Sequence, residues 1–378
     1  TTTFQYDANG NRTKIIDAEL KETNYVYDER DLLYTVTDAK LQTTTYSYDG
    51  NGNLISSTDR NGQTSTFQYD VLNRLIKKVL PGNSITNFEY DAVGNLFRVK
   101  DSDTEVFFIH DTANRVISTF TSPFFSPDFV PIQPTVRIDY TYDANGNRKT
   151  MTDSRTGTTT YTYDSLNRLK TLTNPAGQLT SFDYDSLSRR TLLTHANGVS
   201  TRYTYDPASQ LKTLITQAQG GGVISSFSYD YDQIGNRTSL TQLRSGIPGL
   251  GNALTYMYDD LNRLTDATRP ESGDPNETFD YDAVGNRLQR DGDTEDSVFD
   301  AANRLLEDSL FTYTYDKNGN LTQKTEKTTG DPTTYVYDGE NQLTVIRFPD
   351  GRIASYHYDG LGRRSAKLGS AEHAFYIY

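Results

Sequence analysis

The chain has 378 residues, 34% of them apolar, with 50 acidic against 37 basic side chains and a formal net charge of −13. That balance argues against a nucleic-acid partner, because phosphate backbones are bound by basic patches that displace counterions. The absence of cysteine rules out disulfides and thiolate metal sites, and no apolar run approaches the roughly 18–20 residues of a transmembrane segment.

Taken in chain order, the sequence repeats a Tyr-Asp pair. The first five copies are Tyr6-Asp7, Tyr27-Asp28, Tyr48-Asp49, Tyr69-Asp70 and Tyr90-Asp91, and His110-Asp111 fills the same slot in the sixth. Then come Tyr142-Asp143, Tyr163-Asp164, Tyr184-Asp185, Tyr205-Asp206, Tyr231-Asp232, Tyr258-Asp259 and Tyr281-Asp282, Phe299-Asp300, and last Tyr315-Asp316, Tyr337-Asp338 and Tyr358-Asp359. This makes seventeen units, most of them 21 residues apart, a period that signals a repeat architecture. Residues 1–378 are therefore read as one continuous array. The chain opens at Thr1 inside a repeat, so it is expected to be a fragment of something longer.

An aromatic residue stands two positions before the Tyr slot in sixteen units, as in Phe4, Tyr25 and Tyr161, with Ser297 the exception. A spacing of two puts both rings on one face of a β-strand, whereas a helix would spread them apart. Three residues after the Asp comes Gly (Gly10, Gly52, Gly94, Gly146, Gly285 and Gly319 among them) or Asn (such as Asn167 and Asn262), and Asp31, Ser188 and Ser209 complete the set. Gly and Asn tolerate a left-handed backbone, and an Asp that opens a turn accepts backbone N–H groups, so Asp-x-x-Gly/Asn predicts a hairpin turn. Two residues further on, Leu or Val in eleven units and Arg in six begin a second strand, which ends at turns such as Asp59-Arg60-Asn61-Gly62. Gly-Asn turns alternate with Asn-Arg or Asn-Gln turns, which suggests that neighbouring turns meet different surroundings.

Three steps are longer than the rest. The largest insertion, a Pro/Phe-rich loop at 118–138, carries Pro123, Pro127, Pro131 and Pro134 among Phe124, Phe125 and Phe129. Four prolines forbid a regular interior strand. The loop either folds onto its own wall or offers those three Phe rings to a partner. Segments 217–222 and 245–251 read as hairpin extensions.

About 34 strands spaced ~4.8 Å apart would make a sheet ~160 Å across, and an open twisted sheet of more than ~10 strands curls. Two all-β architectures follow: one long spiralling antiparallel sheet that encloses space, or a tight, filled β-solenoid. The stretches Tyr142-Asp143-Ala144-Asn145-Gly146-Asn147-Arg148 and Tyr163-Asp164-Ser165-Leu166-Asn167-Arg168-Leu169 resemble the YD repeats of bacterial Rhs proteins, of the B and C components of insecticidal Tc toxins, and of teneurins. The resemblance covers essentially the whole chain and implies a hollow β-shell that, in the bacterial toxins, holds a C-terminal toxin. The self-cleavage motif of that family, Asp-Pro-x-Gly-x-x-Gly, is missing, since Asp206-Pro207, Asp274-Pro275 and Asp331-Pro332 lack the glycines.

No chemistry-bearing constellation accompanies the repeats. His110 sits in a packed Tyr slot, and His195, His357 and His373 lack ligand spacing. Asp-x-Asn-Gly-Asn at Asp7, Asp143 and Asp316 matches the first half of a calcium loop, but Ala18, Ser154 and Lys327 stand where its closing acid belongs. The expectation is a non-enzymatic, cofactor-free wall segment of a secreted or surface-exposed bacterial protein that encloses a polypeptide such as a toxin. Its sheet edges would be capped by neighbouring repeats or sister chains. The alternative is an extracellular filament, adhesin or glycan-binding module built from the same repeats.

Overall fold

The computed structural model describes residues 1–123, 136–245, 253–268, 276–290, 296–369 and 373–376. Within them the chain forms thirty-five strands and one 3-10 turn at Pro81–Asn83. The strands make a 26-stranded and a 9-stranded sheet. Every recorded pairing is antiparallel and joins strands adjacent in sequence, as in Thr3–Tyr6 with Arg12–Ile16 and Arg12–Ile16 with Glu22–Tyr27. A narrow parallel-coil solenoid would instead pair each strand with its counterpart in the next repeat.

Each Tyr-Asp pair ends one strand of a hairpin. In the first repeat the Asp7 N–H donates to the Asn11 carbonyl at 2.9 Å and the Gly10 N–H to the Asp7 carbonyl at 3.2 Å. The fourth turn residue has positive φ in all seventeen repeats, from Gly10 (90°) through Asn73 (60°) to Gly362 (76°). Asp31, Ser188 and Ser209 adopt the same conformation, at 61°, 62° and 67°. The register slips by one residue beside the Tyr, for example between Thr162 and Tyr163, which is the bulge that such a turn requires.

Alternation then gives the sheet two unlike faces. One carries the aromatic pairs, such as Tyr161 with Tyr163 and Tyr203 with Tyr205, which are half-buried. The other carries hydroxyl pairs that bridge neighbouring strands, including Thr141–Thr150 at 2.6 Å, Thr152–Thr158 at 2.8 Å and Thr204–Thr213 at 2.6 Å. Among the described residues only Val99, Val106, Val136, Ile138, Ala267, Ala354 and Ala366 are buried apolar side chains. Stability therefore rests on the hydrogen-bonded ladder and a half-covered aromatic face, not on a thick core.

Contacts divide the chain into two compact units. The first holds Thr1–Val136, Tyr281–Leu288 and Thr294–Tyr378; the second holds Arg137–Asp280 and Gln289–Asp293. Of the 118–138 span, residues up to Pro123 continue the strand Val116–Pro123, and Val136–Tyr142 is the next strand. Phe124, Phe125 and Phe129 lie outside the described residues.

Candidate functional site: the turn ladder and the coil junction

The Asp of each Tyr-Asp pair is the hub of its turn. Asp49 accepts the Asn51 and Asn53 N–H groups on Oδ1, each at 2.9 Å, and the Asn53 amide on Oδ2 at 2.9 Å. That side-chain bond, followed by the backbone bond from Asn53, holds its carboxyl below the usual range. Asp111 is held low in the same way, first by the Arg115 side chain and then by the Arg115 N–H. Asp7, Asp91, Asp143, Asp164, Asp259, Asp282 and Asp316 occupy equivalent hubs, each accepting the N–H four residues on.

The alternation of turn types describes how one turn is tied to the next along a single row. In Gly-Asn turns the second Asn reaches forward: Asn53 Nδ2 donates to Asn73 Oδ1 at 2.8 Å, Asn147 to Asn167 at 2.9 Å, Asn236 to Asn262 at 3.0 Å and Asn320 to Asn341 at 2.7 Å. In Asn-Arg turns the Arg bonds its own Asp and lies over the next repeat's Tyr, as Arg74 does over Tyr90 at 4.6 Å and Arg168 over Tyr184 at 4.7 Å. Both turn types therefore share one surrounding and differ in the hand they extend.

The Tyr hydroxyl closes the remaining gap. Strands of neighbouring hairpins stop pairing before they reach the turn, which leaves a carbonyl beyond the last rung. Tyr48, Tyr90, Tyr163, Tyr258 and Tyr315 donate to the carbonyls of Leu33, Leu75, Arg148, Arg237 and Leu305, at 2.8–3.0 Å. Burial holds the Tyr48 and Tyr90 phenols above the usual range. On the same face, Arg residues that open second strands lie over the aromatic residue of their own repeat: Arg148 over Tyr140 at 4.7 Å, Arg190 over Phe182 at 5.1 Å, Arg237 over Tyr229 at 4.5 Å and Arg364 over Tyr356 at 4.8 Å.

In the first unit, sequence-distant repeats meet turn against turn. The lower turns, those between repeats, at residues 38–42, 59–63, 80–84 and 101–104 face the Tyr-Asp turns that start at Asp300, Asp316, Asp338 and Asp359. Lys40 pairs with Asp300 at 3.1 Å, Asn61 Nδ2 donates to Asp316 at 3.1 Å, Asn318 Nδ2 donates to Asp59 at 2.7 Å, and Lys78 pairs with Glu340 at 2.5 Å. The partners are 255 to 262 residues apart. Gly339 and Gly360 sit where the turns touch. A Cβ on Gly339 would lie 2.6 Å from Pro81 Cδ, and one on Gly360 would lie 2.7 Å from both Thr86 Cγ2 and Val99 Cγ1.

A cleft of about 640 Å³ opens at this junction, lined by Leu80, Asp101, Asp103, Tyr356 and His357 among others. Burial pushes the Asp101 carboxyl up, and His357 holds Asp103 down, with Nδ1 3.8 Å from its Oδ2. The other carboxylates are tied into turns, Asp359 by Arg363 at 2.6 Å and Glu340 by Lys78. Among the described residues no group of three or more His, Asp or Glu could hold a metal ion, and no helix is long and apolar enough to cross a membrane.

Sequence reasoning located the Tyr-Asp turns but missed the junction. The available signal was Gly directly after the Asp, at 339 and 360, where most repeats carry a side chain.

Comparison with known proteins adds the following. The sequence pattern of the family described as Teneurin YD-shell matches residues 77–229 and 218–377, and that of the RHS Repeat family matches 27–64 and 48–85. The tRNA3(Ser)-specific nuclease WapA of Bacillus spizizenii is 31% identical over 179 residues, which is 45% of this chain and 7% of that protein. The double-stranded DNA deaminase toxin A of Burkholderia cenocepacia is 29% identical over 147 residues, 38% of this chain and 10% of that protein. A crystal structure of TcdB2-TccC3 superposes with a TM-score of 0.73 at 18% identity, covering 98% of this chain and 24% of that one, so the two share a fold. The chain thus spans a tenth or less of these two curated relatives and about a quarter of the solved structure.

Proposed function

This chain belongs to the Teneurin YD-shell family, and from that premise we propose that it is a wall segment of a secreted or surface-exposed bacterial protein that encapsulates a polypeptide cargo such as a toxin. The observation that carries the reading is the junction. Within the first unit, repeats 255 to 262 residues apart in sequence meet turn on turn, the contact expected of successive windings of a single-sheet wall. A wall of this kind acts by containment, with no bond made or broken.

The aromatic face, lined by Tyr rings and stacked Arg, is the lining in this proposal. Arg and Tyr present flat, amphipathic surfaces that hold an unfolded chain weakly at many points. The array is read as one continuous wall over residues 1–378, with the Tyr-Asp motif as its structural unit. The nuclease and deaminase activities named for the relatives belong to proteins of which this chain matches a small part, so they fit a cargo and not the wall.

Photocrosslinking tests the lining. A photoreactive side chain would replace Tyr203 on the aromatic face or Met257 on the opposite face, in protein purified from its own cells. Adducts with a polypeptide from Tyr203 alone support containment; adducts from Met257 alone, or from neither position, overturn it.

A further inference from the structure

Two turns of the junction share one sequence pattern. Asp59-Arg60-Asn61-Gly62 is a lower turn and Asp316-Lys317-Asn318-Gly319 a Tyr-Asp turn, and both read Asp-x-Asn-Gly. They clasp each other reciprocally. Asn61 Nδ2 donates to Asp316 Oδ2 at 3.1 Å, and Asn318 Nδ2 donates to Asp59 Oδ2 at 2.7 Å. The carboxamide oxygens accept in return, Asn61 Oδ1 from the Lys317 N–H at 3.0 Å and Asn318 Oδ1 from the Asn61 N–H at 3.3 Å. Asp59 and Asp316 keep Oδ1 for their own turns, where it accepts the N–H of Gln63 and of Asn320. Each carboxylate therefore meets the opposite turn through an amide donor.

Asn followed by Gly is the pair most open to deamidation, because glycine has no side chain to hinder its backbone nitrogen. That nitrogen attacks the Asn Cγ, a C–N bond forms and ammonia leaves. Water then opens the resulting succinimide to Asp or isoaspartate. Either product replaces an NH2 donor with a carboxylate. At Asn318 the new charge would stand at hydrogen-bond distance from Asp59, and at Asn61 from Asp316, and carboxylates in contact repel. Asn51 and Asn145 also precede Gly, but their amides donate to the uncharged side chains of Asn73 and Asn167, at 3.0 and 3.1 Å along the same row.

We propose that Asn61 and Asn318 form a paired deamidation site whose conversion unclasps the two turn rows and keeps them from reseating. In the clasp each carboxamide is held through both its nitrogen and its oxygen, which restrains the rotation that attack on Cγ requires. Opening of the junction frees both side chains at once. Deamidation of either then sets carboxylate against carboxylate, so the clasp works in one direction. Solvent water is the co-reactant, and ammonia is the leaving group. The flanking strands stay paired by their own ladders, Leu54–Thr58 with Thr64–Tyr69 and Phe311–Tyr315 with Leu321–Glu326, so the change is confined to the junction. The inference rests on two turns that cover each other, and it stands whether or not the wall holds cargo.

Two measurements on the intact chain test it. The first ages the protein in mildly alkaline buffer and follows each Asn by peptide mass mapping. Gly339→Ala, which presses a methyl against Pro81 and loosens the junction, should speed conversion of Asn61 and Asn318 several-fold and leave Asn51 and Asn145 unchanged. The second uses a carbodiimide, which joins touching amines and carboxylates directly. Lys78 and Glu340, 2.5 Å apart across the junction, report seating, and Lys14 and Glu22, 2.7 Å apart on neighbouring strands, report an intact sheet. Asn61→Asp and Asn318→Asp should each cut the Lys78–Glu340 product several-fold and spare the Lys14–Glu22 product, whereas Asn51→Asp should spare both. Full Lys78–Glu340 cross-linking in both junction variants, loss of both products together, or equal ageing rates at all four Asn in the Gly339→Ala variant overturns the proposal.

Discussion

The Tyr184 hydroxyl donates to the Leu169 carbonyl at 2.8 Å, fifteen residues back and across the seam between two hairpins. Pairing between those hairpins ends at Thr171 with Ser181, so that carbonyl lies beyond the last paired rung. Ten described repeats make the same bond. The Tyr of the pair is thus a side-chain rung that extends the ladder to the turn. Tyr184→Phe keeps the ring and strands the carbonyl, so chemical denaturation should show a loss of about 1 kcal/mol. Tyr161→Phe, two residues before its pair, should cost less. Equal losses at the two sites would mean that the bond to the Leu169 carbonyl adds no stability of its own.

The coil junction predicts a contrast between two glycines. Gly360→Ala forces a methyl against Thr86 and Val99 and should destabilise by about 1–3 kcal/mol through overpacking. Gly50→Ala meets open space and should be neutral in dilute solution. Thermal melts of both variants check this, and equal shifts would contradict the junction geometry.

The repeat was legible because its signals are local. The aromatic spacing of two and the Asp-x-x-Gly/Asn turn each act within one hairpin, so the strands around Tyr142 and Tyr163 could be read directly. The junction was not legible, because Lys78 and Glu340 are 262 residues apart and nothing local says they meet. Alternation of turn types was visible, but its cause was misjudged. It reflects Asn147 reaching Asn167 and Arg168 reaching Tyr184 along one row, and not two different surroundings.

Leu20 and Leu41 occupy the left-handed slot of their lower turns, with φ of 66° and 60°, where other lower turns use Gly62, Gly177 or Gly351. They are 80% and 83% exposed, so their side chains contribute little burial. Relief of left-handed strain, at roughly 1–2 kcal/mol, outweighs the entropy that glycine adds to the unfolded chain, at roughly 0.5–1 kcal/mol. Leu41→Gly should therefore raise the denaturation midpoint. A lowered midpoint would mean that the Leu41 side chain holds the turn by a contact.

Acid should open the turns. Asp49, Asp111 and Asp143 have folded pKa values held below the unfolded value, led in each case by a side-chain bond from Asn53, Arg115 and Asn147. The unfolded chain therefore takes up protons first as pH falls. Their contribution is complete above the unfolded value of about 3.9 and is lost as pH drops through the folded values. Asp101 runs the other way: burial raises its pKa, so the penalty for its charge is relieved on acidification. The turn aspartates outnumber it, and the denaturation midpoint should fall below about pH 4. A flat midpoint through that range would show that the aspartate hubs carry little stability.

The most direct test of the central claim is a particle image of the intact chain, read for the thickness of its wall and the space beside it. The account predicts a curved wall one sheet thick that borders a lumen. A thin, straight rod with a filled interior would contradict it and make the filament reading the better one.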